Sequence, residues 1–172
     1  TPALGMPTCT SKQDVNGNSG AYDPGDGFFT PPSGGGGWES YTGTTQTYVS
    51  ATKSIVYRYD ASNLNRGADD WFYLQGLNLT AGTSYRLKFF YKASDGPDYF
   101  EKLQVTYGAA AYAPAQTNVL WTNNNIVTNI NSPFDSVIVD FSPAATGVYY
   151  IGFHAMSDAD NAFIYLADVS VK

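Results

Sequence analysis

The sequence predicts an all-β fold, a jelly-roll sandwich of two antiparallel sheets. Two observations carry this. First, short apolar runs are broken every eight to fifteen or so residues by turn residues from Trp38 onward, the spacing of a β-sandwich. Second, within those runs side chains alternate with a period of two: Tyr85, Leu87, Phe89 and Tyr91 interleave with Ser84, Arg86, Lys88 and Phe90. Sustained helical periodicity is nowhere visible.

The runs that read as strands are Gln46 to Ser50, Ser54 to Tyr59, Asp70 to Leu77, Ser84 to Lys92, Lys102 to Tyr107, Thr117 to Thr122, Asp135 to Phe141, Gly147 to Met156 and Ala162 to Val171. The segments between them hold Gly, Asn, Asp or Pro, which accept positive φ or fix φ in a turn. Leu103, Val105 and Tyr107 should face inward, opposite Lys102, Gln104 and Thr106. Val137, Val139 and Phe141 should do the same opposite Ser136, Ile138 and Asp140. The two last runs are apolar on both faces, so they should be central strands covered on both sides.

Length and composition bound the rest. A chain of 172 residues fits one sandwich domain. Residues 1–37 stand apart, rich in Gly, Pro and Asp and poor in aliphatics, and read as a leader or long loops docked on a binding domain spanning 38–172. Charged residues make up 14%, well below the usual quarter or so, while aromatics reach 16%, a composition that suits a secreted β protein. The net charge of −6 would repel a phosphate backbone, so nucleic acid is not the expected partner. No apolar run approaches a membrane helix, and membrane insertion is not expected. Thr1 opens without a signal-peptide pattern, which reads as a piece cut from a larger protein, a module expected to be monomeric. Cys9 is the single cysteine, so no intrachain disulfide can form.

From Ile55 to the C-terminus the chain resembles the cleaved-adhesin or choice-of-anchor type of jelly-roll domain in secreted proteins of Bacteroidetes. The residues that carry it are Asp69-Asp70-Trp71, the run from Leu79 to Leu87, Glu101-Lys102-Leu103, Gly147 to His154, and Ile164 to Val171. The resemblance implies a sandwich related to galactose-binding-like domains and carbohydrate-binding modules, secreted or at the cell surface, often with structural calcium. Relatives usually carry two adjacent acidic residues in the last strand, where this chain has Ala167 before Asp168.

Calcium takes six to eight oxygens, and Asp-rich loops can supply them. Three segments qualify: Asp14 to Asn18 running on to Asp23 and Asp26; Asp60 with Asn63, Asn65, Asp69 and Asp70; and Ser157 to Asn161 with Asp158 and Asp160. The first has D-x-N-x-N spacing but lacks the later glycine and glutamate of an EF-hand. The expected ligand set is Asp60, Asp69, Asp70, Asp158, Asp160 and Asp168, against the plainer reading that these aspartates make turns.

Sugar rings stack on exposed aromatics while polar neighbours bond their hydroxyls. Trp38, Tyr41, Tyr112 and Trp121 lie in loop-like or edge-like positions and form the expected platform; Trp71, Tyr85, Phe89 and Tyr91 should face the core. His154, the sole histidine, lies inside a strand and reads as a packing residue. No Ser-His-Asp order, metal-binding His pair or nucleophile elbow occurs, so no enzyme is expected. The function anticipated is a noncatalytic module binding a polysaccharide or glycan, with a protein-binding adhesin or structural spacer as the alternative.

Overall fold

The computed structural model describes residues 9–16, 37–41, 54–59, 64–94, 98–128 and 131–172. Eleven strands run through them: β1 (Ser11–Asp14), β2 (Gly37–Tyr41), β3 (Ser54–Arg58), β4 (Asp70–Tyr73), β5 (Leu77–Leu79), β6 (Tyr85–Ala93), β7 (Glu101–Gly108), β8 (Asn118–Ile126), β9 (Asp135–Phe141), β10 (Gly147–Ala155) and β11 (Phe163–Val171). A single 3-10 turn, Ala113–Ala115, is the only helical element among the described residues. The first sheet has the order β1-β4-β10-β7-β8, with β5 on the start of β10; the second is β2-β3-β11-β6-β9. Every pairing is antiparallel. This is the jelly-roll sandwich the alternation predicts.

The core lies between the sheets. Leu87, Phe89 and Tyr91 of β6 face Leu103 and Val105 of β7 and Ile151 and Phe153 of β10, all buried. Each such side chain removed from water stabilises the fold by roughly 1.5–3 kcal/mol. As predicted, β10 and β11 are central, and β11 also buries Phe163 and Tyr165 on the outer side of its sheet with Val56.

Three expectations change. The run from Asp70 to Leu77 is two strands, β4 ending at Tyr73 and β5 starting at Leu77, with Gly76 between them, where an added Cβ would lie 2.8 Å from Val148 Cγ1. The leader boundary at 37/38 falls inside β2, and the leader itself contributes β1, paired with β4 from Ser11↔Tyr73 to Asp14↔Asp70. β11 carries a bulge between Ala167 and Ser170, with Asp168 at φ 47°. The strand expected at Gln46 to Ser50 lies outside the described residues.

Candidate functional site on the outer face of the first sheet

Register assembles one row of side chains across five strands. Gln13 pairs with Trp71, Trp71 with His154, His154 with Gln104, and Gln104 with Thr122. Because the side-chain period is two, these face away from the core that takes Phe72, Phe153, Leu103 and Val105. Adjacent strands stand about 4.8 Å apart, so the row offers one side chain per step. A parallel row, Ser11, Tyr73, Gly152, Thr106 and Val119, lies beside it.

The loop at 109–117 covers the second row. Gln116 is the fastener: its Oε1 accepts from Thr106 Oγ1 at 2.8 Å, and its Nε2 donates to Ala110 O at 2.8 Å. Gly152 makes room, since a Cβ there would sit 2.9 Å from Gln116 Oε1. From the other side Gln13 Oε1 accepts from Ala113 N (2.8 Å) and from the Tyr73 hydroxyl (3.1 Å). The first row stays accessible from His154 to Thr122, which range from half-buried to exposed.

Its floor is stiff and its surface polar. Trp71 stacks on Tyr73 (5.7 Å, 8°) and on His154 (4.1 Å, 7°). His154 Nε2 lies 2.8 Å from Asp69 Oδ1. Burial pulls the His154 pKa below its ordinary value while Asp69 opposes, so the ring is neutral at pH 7 and its Nε2–H donates to the carboxylate. Burial and the nearby Asp69 push the Tyr73 phenol up, keeping it protonated. Gln104 Nε2 donates to Thr122 Oγ1 at 3.3 Å, and Lys102 Nζ meets both Asp158 oxygens at 2.6 and 2.7 Å at the margin. Amide, hydroxyl, imidazole and carboxylate together suit a polyhydroxylated ligand. A separate cleft where β1, β2 and β4 meet, lined by Lys12, Gln13, Asp14, Gly37, Trp38, Asp70 and Trp71, holds only ≈ 120 Å³. Ligand pockets begin at roughly 300 Å³, so the open row is the better candidate.

The predicted aromatic platform does not assemble. Trp38 is 1% exposed, because β2 pairs with β3 so that Trp38 lies opposite Tyr57 on the inward side, and its Nε1 donates to Asp70 O. No sugar can reach that ring. Tyr41 packs edge-on against Tyr165 on the second sheet. Trp121 pairs with Val105 and turns inward onto Phe89 (5.5 Å) and Tyr91 (5.0 Å). Tyr112 alone of the four stands clear, 50% exposed, on the loop bordering the polar row. Trp71, expected in the core, is buried instead on the outer face.

The predicted calcium ligands do not meet in one cage. Asp60 lies outside the described residues. Asp69 binds His154, Asp158 pairs with Lys102, Asp70 is buried in β4, Asp160 is exposed in a left-handed turn, and Asp168 sits in the bulge of the opposite sheet. Among the described residues no three His, Cys, Asp or Glu side chains gather as a metal would need. The described members of the set therefore do not converge on one shared site.

No protein-family model matches the chain, nor does any curated protein sequence. Solved structures do match. The chain is similar to the K1 cleaved adhesin domain of Lys-gingipain from Porphyromonas gingivalis, with TM-score 0.73 and 19% identity over 98% of this chain and 92% of that one. The K3 domain of the same protein gives 0.67 and 20% over 98% and 94%. A CBM4 carbohydrate-binding module gives 0.51 and 17% over 78% and 93%. What the chain shares with them is the jelly-roll fold, as the sequence resemblance implies. Among the described residues no helix is long and apolar enough to cross a membrane.

Proposed function

We propose that this domain is a noncatalytic glycan-binding module of a secreted or surface protein, its ligand lying across the strands over His154, Gln104 and Thr122 with Tyr112 at the rim. The observation that carries the reading is the register row. A β-linked glycan in extended form advances close to one sugar per inter-strand step, so successive hydroxyl groups meet successive polar side chains. The shared fold with a carbohydrate-binding module supports it, though fold alone does not assign a ligand. Among the described residues His154 meets Asp69 and Trp71 and no hydroxyl, thiol or amine nucleophile, which supports a binding role over covalent catalysis.

Affinity electrophoresis through soluble xylan, barley β-glucan, laminarin and galactomannan tests this. Retardation by at least one gel is expected, and Gln104→Ala or Thr122→Ala should weaken it about fivefold, the worth of one hydrogen bond near 1 kcal/mol. No retardation in any gel, or retardation indifferent to both changes, overturns the reading. A second reading, with an extracellular protein as ligand, is compatible with the fold shared with adhesin domains. Capture of such a protein that free sugars leave unchanged would establish that one instead.

A further inference from the structure

Resting on the glycan reading, we propose that Asp69 is a positioning residue: it holds His154 with its hydrogen on Nε2, which makes Nδ1 the acceptor for one ligand hydroxyl. The ring cannot rotate out of this arrangement without losing two contacts. One face lies flat on Trp71, itself backed by Tyr73, and Nε2 faces Asp69 Oδ1 at 2.8 Å. A carboxylate accepts only, so the hydrogen belongs on Nε2 and the Nδ1 lone pair is left over. No described residue hydrogen-bonds Nδ1, and it is not among the buried polar atoms sealed from solvent without a partner. His154 sits between Trp71 and Gln104 in the accessible row, so this lone pair belongs to the surface a ligand would cover.

An acceptor in that place selects. It takes a hydroxyl hydrogen and gains nothing from a methyl ether or a deoxy position. Protonation of the ring would convert it into a donor, so ligand and proton compete for one lone pair. Among the described residues Asp69 before β4 is the charged group in contact with the ring, and Lys102 on β7 and Asp158 after β10 are paired with each other; β1, β4 and β8 present Gln13, Trp71, Tyr73 and Thr122.

The single histidine makes the test unambiguous. In ¹⁵N–¹H multiple-bond spectra of the labelled domain, Nε2 should be the protonated nitrogen at neutral pH. The hexasaccharide of whichever polysaccharide is retained in the gels should shift the Nδ1 signal. Affinity should fall by about tenfold per pH unit once His154 takes up its proton. Asp69→Asn should move that fall to lower pH, because the carboxylate is what holds the ring's basicity up against burial. His154→Phe, which keeps a stacking ring, should bind more weakly and without the pH dependence, whereas Asp158→Asn should leave the profile in place. A hydrogen on Nδ1, an Nδ1 signal unmoved at saturation, or a profile that follows Asp158 would overturn the proposal while glycan binding stood. Absence of binding to any glycan would instead remove the functional reading beneath it. The tautomer and ligand-shift measurements need no variant, so a misfolded Asp69→Asn protein does not decide the outcome.

Discussion

At the residue scale two glycines show how the loop over the first sheet is fitted. A Cβ on Gly108 would meet Ala115 O at 1.9 Å, a backbone atom in the 3-10 turn, whereas a Cβ on Gly152 would meet the far end of the Gln116 side chain at 2.9 Å and Trp71 Cε3 at 3.1 Å. Backbone cannot step aside as a side-chain amide can. Gly108→Ala is therefore expected to cost more than Gly152→Ala, with the first at the upper end of the roughly 1–3 kcal/mol typical of overpacking. Urea midpoints at unchanged m-value measure both; equal losses would mean the loop does not rest on Gly108 as described. Neither glycine announces its role in the sequence. Each is conspicuous only once the loop is seen above it.

At the element scale, the segment from Met156 to Ala162 is tied down by one buried carboxylate. Glu101 is 0% exposed; its Oε1 accepts from Ala162 N and its Oε2 from Ser157 Oγ. Ser157 Oγ also accepts from Lys102 N, and Asn161 Oδ1 accepts from Phe100 N. Glu101→Ala should destabilise by about 3 kcal/mol, as hydrogen bonds to charged acceptors are worth roughly 1.5–3 kcal/mol each and the donors are left buried. Amide exchange in 156–162 should accelerate while β6 stays protected; uniform acceleration would show that the knot is not local. The sequence makes such strands legible because alternation is a property of neighbours along the chain: Leu87 and Phe89 in, Ile138 out at 59% exposure, Val137 in. It misplaces Trp38 because a tryptophan between a Gly-rich tract and Glu39 looks like a loop residue, and it misplaces Trp71 because burial on an outer face reads like burial in the core. The polar row is not legible in the sequence for a different reason. Alternation turns Gln104 outward, but its adjacency to His154, and that of His154 to an Asp69 lying 85 residues earlier, exists only after the sheet is assembled.

At the scale of the whole molecule the two sheets share one interior and should unfold together. Phe89 of the second sheet meets Phe153 of the first edge-to-face at 5.4 Å, Trp38 meets Phe72 at 6.1 Å, and Tyr107 meets Phe141 at 5.1 Å. Neither sheet can shed its partner without exposing these rings. The tryptophans sample both sides, with Trp38 in the second sheet and Trp71 and Trp121 in the first, so their fluorescence reports on the sandwich as a unit. In urea, fluorescence and far-ultraviolet circular dichroism should trace superimposable transitions, and Trp38→Phe, although destabilised, should keep its own two curves coincident. Separate midpoints would mean that one sheet outlives the other. Refolding should also be slow, in milliseconds to seconds or longer, because the central pairings of β10 with β4 and of β11 with β3 join distant segments, and loop-closure entropy is spent before those contacts form.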